Sequence, residues 1–594
     1  MANYDRLIVC TVPFPLRLLK GLKPVEREVI MPFTVRGKLF LEKEGKASAF
    51  PDDIIGLPDL DSVGTDNLSR VMDICTFLDR ALQEKILFLK ENDIDLFSFS
   101  YFYMKILMDA FLTSYAVLDK LFRAHNFSEI IVIRSKRQFS SEEEIVVDLL
   151  ELVFSKRPLN IRVLSANNRD HKAPGSELFK SIVKYAAGWM KSKCSEHAIL
   201  ANGLVINSGH DIPYFEKEMV GCMRFIDVKT IARFCLAIPS FSGDARKTVL
   251  RDAVAEAFKD IEADNSYRAL FPEDEYLFAF INKWFKNHLD RKIVPCLMCA
   301  NKIKMKIGMF KPSIAVTSGC RFDMETALIF GIIRALKIPV VTYQEGGGAG
   351  YMEWPLFNVD AKFSDYFLVY GEDVKKRLSS EAGRARLVPT GSLRLGHLKN
   401  RIAKSPSQEK TICVILDNFK ENVCQHYPYN GGFFSYAYRH QLAILDALKS
   451  IKGVNFVLKT MKGREVFYEE YESFMKIETR PLVVVLDEAD AFILEYPSTV
   501  LQECLLADKP IALLYDEGNV RFEPDALKAL ARRVRMCSDP SSFRDTVTAL
   551  MNDIKTGTAM TREREFQARY CLTDNVSENI KEFYEEFKRT RRDA

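Results

Sequence analysis

Short apolar runs rich in β-branched residues recur along this chain, and most are followed by a stretch of helical period. They fall at 129–133 (EIIVI), 160–164 (NIRVL), 199–207, 313–317, 338–343, 366–370, 386–388, 411–416, 454–458, 482–486 (LVVVL), 511–514 and 534–537. An apolar run without polar alternation suits a strand covered on both faces, which is the situation of a parallel sheet. Strands that alternate with helices need βαβ crossovers, so the expected fold class is α/β with doubly wound parallel sheets. A further strand is expected at 7–12. Two segments break the rhythm. Residues 68–122 carry apolar side chains at helical spacing (Ile74, Phe77, Leu78, Leu82, Ile86, Leu89), and 244–306 contain no strand pattern. Both read as helical additions.

At 594 residues the chain is too long for one core. The polar stretch 396–409, with Lys399, Arg401, Lys404 and Pro406, is the expected boundary. It divides an N-terminal domain, 1–400 with a helical insertion about 244–306, from a C-terminal domain, 401–570. Residues 571–594 form a closing helix with a basic tail.

Several function classes are excluded or disfavoured. A net charge of +4 gives no electrostatic footprint for nucleic acid. The apolar segment 97–118 is broken by Lys105 and Asp109, which predicts a buried amphipathic helix rather than a membrane span. Residues 1–6 show no export signal, so the 13 cysteines are expected reduced and buried, and the location cytoplasmic. Cys296 and Cys299 form a CxxC pair without a second pair or nearby histidine, and the eight histidines show no HxxxH spacing. Asp487, Glu488 and Asp490 resemble a ligand cluster, but no metal is expected. The tail residues Lys588, Arg589, Arg591 and Arg592 are either plainly solvated or in peripheral contact with anionic lipid of the inner membrane.

Open α/β sheets bind ligands beyond the carboxyl ends of their strands, so residues just after the runs carry most weight. In 482–514 the chain reads strand, loop, helix, strand. Ser498 or Thr499 is placed to cap that helix, whose unpaired N–H groups and dipole suit a phosphate. Glu503, about one turn on, is placed to accept hydrogen bonds from ribose hydroxyls. Pro-Ser-Thr is also a common way to begin any helix. After 338–342 come Gln344, Glu345, Gly346, Gly347, Gly348, Ala349 and Gly350, with four glycines in five residues. Such a loop lets backbone approach a ligand closely, or is only a turn; it lacks the GxGxxG-helix and GK[ST] contexts. Thr390, Gly391 and Ser392 follow the run at 386–388. Lys459 follows the run at 454–458, as a phosphate cation or an exposed lysine. The run at 199–207 ends in Ser208, Gly209, His210 and Asp211. The loop 417–434 is long and holds Asn418, Lys420, His426, Tyr427, Tyr429 and Asn430, as functional loops often do.

Gln344-Glu345-Gly346, DYFLVYG at 365–371, VPTGS at 388–392 and YPSTVLQE at 496–503, in this order, resemble the GT-B glycosyltransferases of bacterial surface-polysaccharide assembly. The nearest patterns are the capsule Kdo-transferase-like proteins and the CDP-glycerol polyol-phosphate transferases. The resemblance implies two Rossmann-like domains facing across a cleft, no metal and no cofactor. A nucleotide-activated sugar would be the co-substrate, bound mainly by the C-terminal domain, and a glycan or lipid-linked molecule the acceptor. It assigns Ser498 and Thr499 to donor phosphate, Glu503 to ribose, Lys459 to phosphate charge and Gly391 to the interdomain turn, with Gln344, Gly346 and Ser392 beside the donor. Relatives often carry Gln-His-Gly where this chain has Gln344-Glu345-Gly346. Glu345 is then the candidate general base, with Glu353, Asp323 and Glu325 as competitors. Rival expectations are a CDP-linked polyol-phosphate transferase, a nucleotide-sugar epimerase, and a nucleotide-sugar-binding protein without turnover.

Overall fold

The computed structural model describes residues 2–10, 22–23, 25–51, 53, 61–135, 145–157, 159–166, 201–209, 211–237, 243–353, 357–380, 382–401, 410–417, 434–462, 468–518, 520–557, 563–571 and 574–593. His210, the expected boundary at 402–409 and the loop residues Asn418, Lys420, His426, Tyr427, Tyr429 and Asn430 lie outside them, as does the side chain of Arg592.

Sixteen strands in the described residues form three sheets, and every strand pair within them is parallel. A four-stranded sheet has the order β2-β1-β3-β4, with β1 Ala2–Cys10, β2 Glu28–Pro32, β3 His125–Ser135 and β4 Ile161–Ala166. The second sheet has six strands: β5 Ala201–Asn207, β6 Met223–Asp227, β7 Pro312–Ser318, β8 Val340–Tyr343, β9 Tyr366–Val369 and β10 Arg386–Pro389. Their order is β10-β9-β8-β7-β5-β6. The third, also six-stranded, holds β11 Thr411–Ile415, β12 Asn455–Lys459, β13 Met475–Glu478, β14 Ala491–Leu494, β15 Ile511–Leu514 and β16 Arg535–Cys537. Its order, β13-β12-β11-β14-β15-β16, is 3-2-1-4-5-6 when its own strands are counted, the doubly wound order of dinucleotide-binding folds. Two Rossmann-like lobes are therefore present, and residues 1–166 add a smaller sheet that the sequence pattern had merged with the first lobe.

One expectation fails. Residues 482–486 are not a strand; Leu482–Glu488 is a helix, and Ala491–Leu494 takes the place beside β11. Pro481 stands at its N-cap, and only Val485 and Leu486 of the helix are buried. Asp490 then accepts the Thr411 N–H at 2.8 Å, which seats the next run, AFIL, in the sheet.

The helical additions are as expected. Asp61–Lys85, Leu96–Phe99 and Tyr101–Ala124 pack with Gly243–Glu262, Glu275–His288 and Val294–Met309 as a layer between the four-stranded sheet and one face of the first lobe. Phe99 meets Phe330 edge to face at 5.0 Å. Lys105 and Asp109, the two charges that interrupt the apolar segment, pair with each other inside Tyr101–Ala124. Cys296 and Cys299 are buried and unbridged. Among the described residues no helix is long and apolar enough to cross a membrane.

The last helix, Val576–Asp593, leaves the second lobe and lies on the first. Val576, Ile580, Phe583, Tyr584 and Phe587 share a core with Ile212, Phe215, Val316 and Leu368. Two of its basic residues have protein partners: Lys588 pairs with Glu585, and Arg591 donates to the Ser313 carbonyl. Phe583 is 4% exposed and meets Tyr366 edge to face at 5.5 Å. Phe583→Ala should therefore cost about 3–5 kcal/mol of stability, read as a lowered denaturant midpoint.

Candidate functional site

In each lobe the carboxyl edge of the sheet faces the other lobe, and the loops on these edges make the seam. The turn after β8 adopts positive φ at Gly346 (75°), Gly348 (104°) and Gly350 (80°). It brings the Gly347 N–H to the Thr499 hydroxyl at 2.9 Å and the Tyr351 hydroxyl to the Pro497 carbonyl at 2.8 Å. A Cβ on Gly347 would lie 2.5 Å from the Tyr351 oxygen and 2.9 Å from the Ser498 carbonyl carbon. The glycine loop is thus a close-packed seam element, docked against the start of the helix Thr499–Leu506.

The second lobe reverses its strand order between β11 and β14, and a pocket of about 200 Å³ opens there. Asp417 beyond β11, Lys459 and Thr460 at the end of β12, and Tyr496, Ser498 and Val500 after β14 line it. This is where a doubly wound sheet leaves a crevice for a ligand. Lys459 donates to the Thr460 carbonyl at 2.6 Å, and an ammonium has two further protons to offer. Burial lowers its pKa, while Cys413, Glu478 and Glu503 act in the other direction. Ser498 is the N-cap of Thr499–Leu506, yet its side chain makes no capping bond. Behind the pocket Glu495 is buried and accepts from the Asp417 N–H and the Gln441 amide, both at 2.7 Å. Burial holds its pKa well above the ordinary carboxylate value.

The first lobe reverses order between β5 and β7. Glu345, just past β8, lies beside that point: Arg321 Nη1 is 3.5 Å from its Oε2, and the side chain is 24% exposed. Asp360 is buried next to the same arginine and accepts the Cys320 N–H at 2.6 Å. Burial pushes Asp360 up to about 6, Arg321 and the Cys320 bond oppose the rise, and Glu345 adds to it.

The structure sorts the remaining candidates. Gln344 is buried with both ends of its amide in use, donating to the Gly346 carbonyl and accepting the Tyr370 N–H, each at 2.9 Å. Gly391 has φ 83°, and its carbonyl accepts from the Tyr343 hydroxyl at 2.6 Å. Ser392 caps Leu393–Lys399 and donates to Asp211 at 2.9 Å. These three shape the first lobe's edge, whereas Lys459 and Ser498 line the pocket. Glu503 pairs with Arg394 of the first lobe. Asp323 is occupied as the N-cap of Met324–Ala335, Glu325 sits in that helix's first turn, and Glu353 binds the Arg521 carbonyl through its backbone. Asp487, Glu488 and Asp490 precede β14, at the opposite edge of the sheet from the pocket, and Glu488 pairs with Arg480 at 2.7 Å. No group of three metal-ligating side chains occurs among the described residues.

Arg321, Asp360 and Arg394 were not singled out from sequence, and Asp211 was noted only for closing the segment after a run, with no role assigned. Arg394 follows a strand end by five residues, and Asp211 closes the segment after the run at 199–207; position beyond a strand was the available signal.

A model of the LIC12162 family transferases matches residues 122–532, more than half of the chain, taking in the first Rossmann-like lobe and the second through β15. The chain belongs to the LIC12162 family of transferases. No curated protein matches it. Among solved structures, this LIC12162 family transferase is similar to MurG of Acinetobacter baumannii, at 13% identity over 64% of this chain and 99% of that one, with a TM-score of 0.34. It is also similar to UGT2 of Phytolacca americana complexed with UDP-2-fluoro-glucose and pterostilbene, at 11% identity over 66% and 100%, with a TM-score of 0.35. The spinosyn rhamnosyltransferase SpnG matches at 9% identity over 65% and 100%, with a TM-score of 0.34. Two parallel, doubly wound lobes meeting along their carboxyl edges give the LIC12162 family transferase the GT-B arrangement.

Gly347→Ala should cost about 1–3 kcal/mol by forcing the seam apart, whereas Gly308→Ala, on an exposed helix surface with nothing within 4 Å, should leave the thermal midpoint unchanged or higher. Asp360 keeps its proton in the fold over a range where the unfolded chain has lost it, so its contribution to stability falls as pH rises from about 4 to about 6. Asp360→Asn should flatten that part of the stability profile by roughly 2–3 kcal/mol, measured by denaturation at several pH values.

Proposed function

We propose that this transferase moves a sugar from a nucleotide-sugar donor to a hydroxyl of a glycan or lipid-linked acceptor, acting in the cytoplasm. The observation that carries this reading is the pocket at the second lobe's switch point, where Lys459 and Ser498 stand together at a helix start. A diphosphate or monophosphate placed there meets an ammonium, a hydroxyl and the positive end of the helix. The leaving group's charge is then met by the protein's own donors, without a metal in the step. Glu503, on the next turn of that helix, faces the ribose.

The acceptor enters from the first lobe. Glu345 lies two residues from Gly347, which touches the helix start, so a base there is close to the donor's sugar. Glu345 takes the acceptor hydroxyl's proton, the oxygen attacks the anomeric carbon, and the bond from that carbon to the phosphate oxygen breaks. The nucleoside phosphate departs with the electron pair, beside Lys459.

A panel of UDP-, GDP-, ADP- and CMP-sugars with CDP-glycerol tests this: the nucleoside phosphate released names the donor, and CDP-glycerol as the sole productive donor would replace sugar transfer by polyol-phosphate transfer. Glu345→Gln should lower kcat by about a hundredfold or more with nucleotide affinity kept, and Lys459→Met should weaken nucleotide binding about tenfold or more. Unchanged kinetics in both variants would overturn the site.

A further inference from the structure

Glu503 is held from the opposite lobe. Arg394, on Leu393–Lys399 of the first lobe, pairs through Nη1 with Glu503 Oε1 on Thr499–Leu506 of the second. Both side chains are largely buried, 15% and 12% exposed. Arg394 Nε and Nη2 are buried without a hydrogen-bond partner, so the carboxylate is the guanidinium's sole hydrogen-bond anchor among the described residues. The backbone beneath it is fixed by Asp211, fully buried, whose Oδ1 accepts the Arg394 N–H at 2.8 Å and the Ser392 hydroxyl at 2.9 Å. The Tyr370 hydroxyl donates to its Oδ2. Glu503 Oε2 makes no hydrogen bond among the described residues. Glu503 also interacts electrostatically with Lys459 of the pocket.

This is an unusual place for an arginine that only glues two lobes. A guanidinium opposite a carboxylate gains most from a two-bond fork, yet here one nitrogen binds one oxygen. What the single bond does accomplish is to fix the carboxylate's rotation, leaving the second oxygen for another donor.

We propose that Arg394 is a positioning residue for the donor nucleotide: reaching across the seam, it sets Glu503 so that the free oxygen accepts the ribose hydroxyls. This rests on the reading that Glu503 faces the ribose. Ribose recognition then belongs to the two lobes together, and a nucleotide is bound at full strength only while the seam holds. Asp211 anchors the device by tying the Arg394 backbone to the end of the first sheet.

The test is the ratio of affinities for a ribonucleotide and its 2′,3′-dideoxy counterpart, measured by equilibrium titration with whichever of UDP, CDP, GDP, ADP and CMP binds most tightly. The full chain should prefer the ribonucleotide by about tenfold or more, the size of hydrogen bonds to a charged acceptor. Glu503→Gln should bring the ratio close to one. Arg394→Met should do the same while affinity for the dideoxy nucleotide stays within about threefold, a split that loss of fold would not produce. Arg394→Lys, which keeps one charged donor, should restore part of the ratio, and it carries the test if Arg394→Met fails to fold. A ratio untouched by Glu503→Gln would overturn the ribose reading itself. A ratio lost in Glu503→Gln but kept in both Arg394 variants would overturn the positioning role alone and leave Arg394 a structural tie.

Discussion

Parallel pairing governs this molecule. When all strands of a sheet run the same way, every loop at one edge follows a strand end, and that edge alone collects side chains for a ligand. Both six-stranded sheets obey this rule, and they are joined so that these edges meet. Lys459, Ser498 and Glu503 from one lobe and Glu345, Arg321 and Arg394 from the other lie on the facing edges for that reason, though up to 182 positions separate them in the chain. The acidic group Asp487, Glu488 and Asp490 shows the converse. Its composition suits a metal, but it precedes a strand and so stands at the wrong edge.

The lobes are tied in more than one place, and the ties differ in strength. The glycine loop contributes two hydrogen bonds at the seam, and the closing helix buries an aromatic face on the first lobe. A third tie runs from the small N-terminal sheet region to the helix Phe434–Lys449 of the second lobe. There Phe50 and Tyr438, 2% and 6% exposed, meet edge to face at 6.1 Å. Lys43–Glu469 and Arg439–Asp53 surround that contact, but all four side chains are more than a third exposed, so solvent screens them and they add little. The aromatic pair carries the contact. Any opening between the lobes must therefore keep or break buried apolar contacts as well as hydrogen bonds.

Much of the fold was legible because central strands in parallel sheets must be apolar on both faces, which marks them as β-branched runs. Of the four strands the pattern does not announce, Glu28–Pro32, Met223–Asp227 and Met475–Glu478 are edge strands, and Ala491–Leu494 is central. An edge strand is half solvated and carries charges that blunt its open side, so its pattern resembles a loop. The run LVVVL misled for a different reason. Two apolar runs, 482–486 and 491–494, compete for one place beside β11, and composition favours the first. Asp490 decides for the second, because its bond to Thr411 forms across strands, a long-range pairing that no local pattern announces. The site was legible in the same uneven way. Lys459 and Glu345 declare themselves by following apolar runs and Ser498 by its place at a helix start, whereas Asp211 and Arg394 matter through each other across 183 residues.

The capping position holds a last distinction that sequence could not draw. Ser498 and Thr499 both suit the start of a helix, and either hydroxyl could meet a phosphate. In the fold they divide the work. Thr499 lends its oxygen to Gly347 and so belongs to the seam, while Ser498, with no hydrogen bond from its side chain among the described residues, faces the pocket with Lys459. A capping hydroxyl usually spends itself on its own helix. Here the helix leaves that donor site open at the pocket, and an oxyanion there would be met by the hydroxyl and by the N–H groups it leaves uncapped. The extended backbone of Ser498, at φ −81° and ψ −160°, is the ordinary geometry of an N-cap, so the open site carries no conformational cost. Its cost is the forgone cap, about 1 kcal/mol, which a bound phosphate would return.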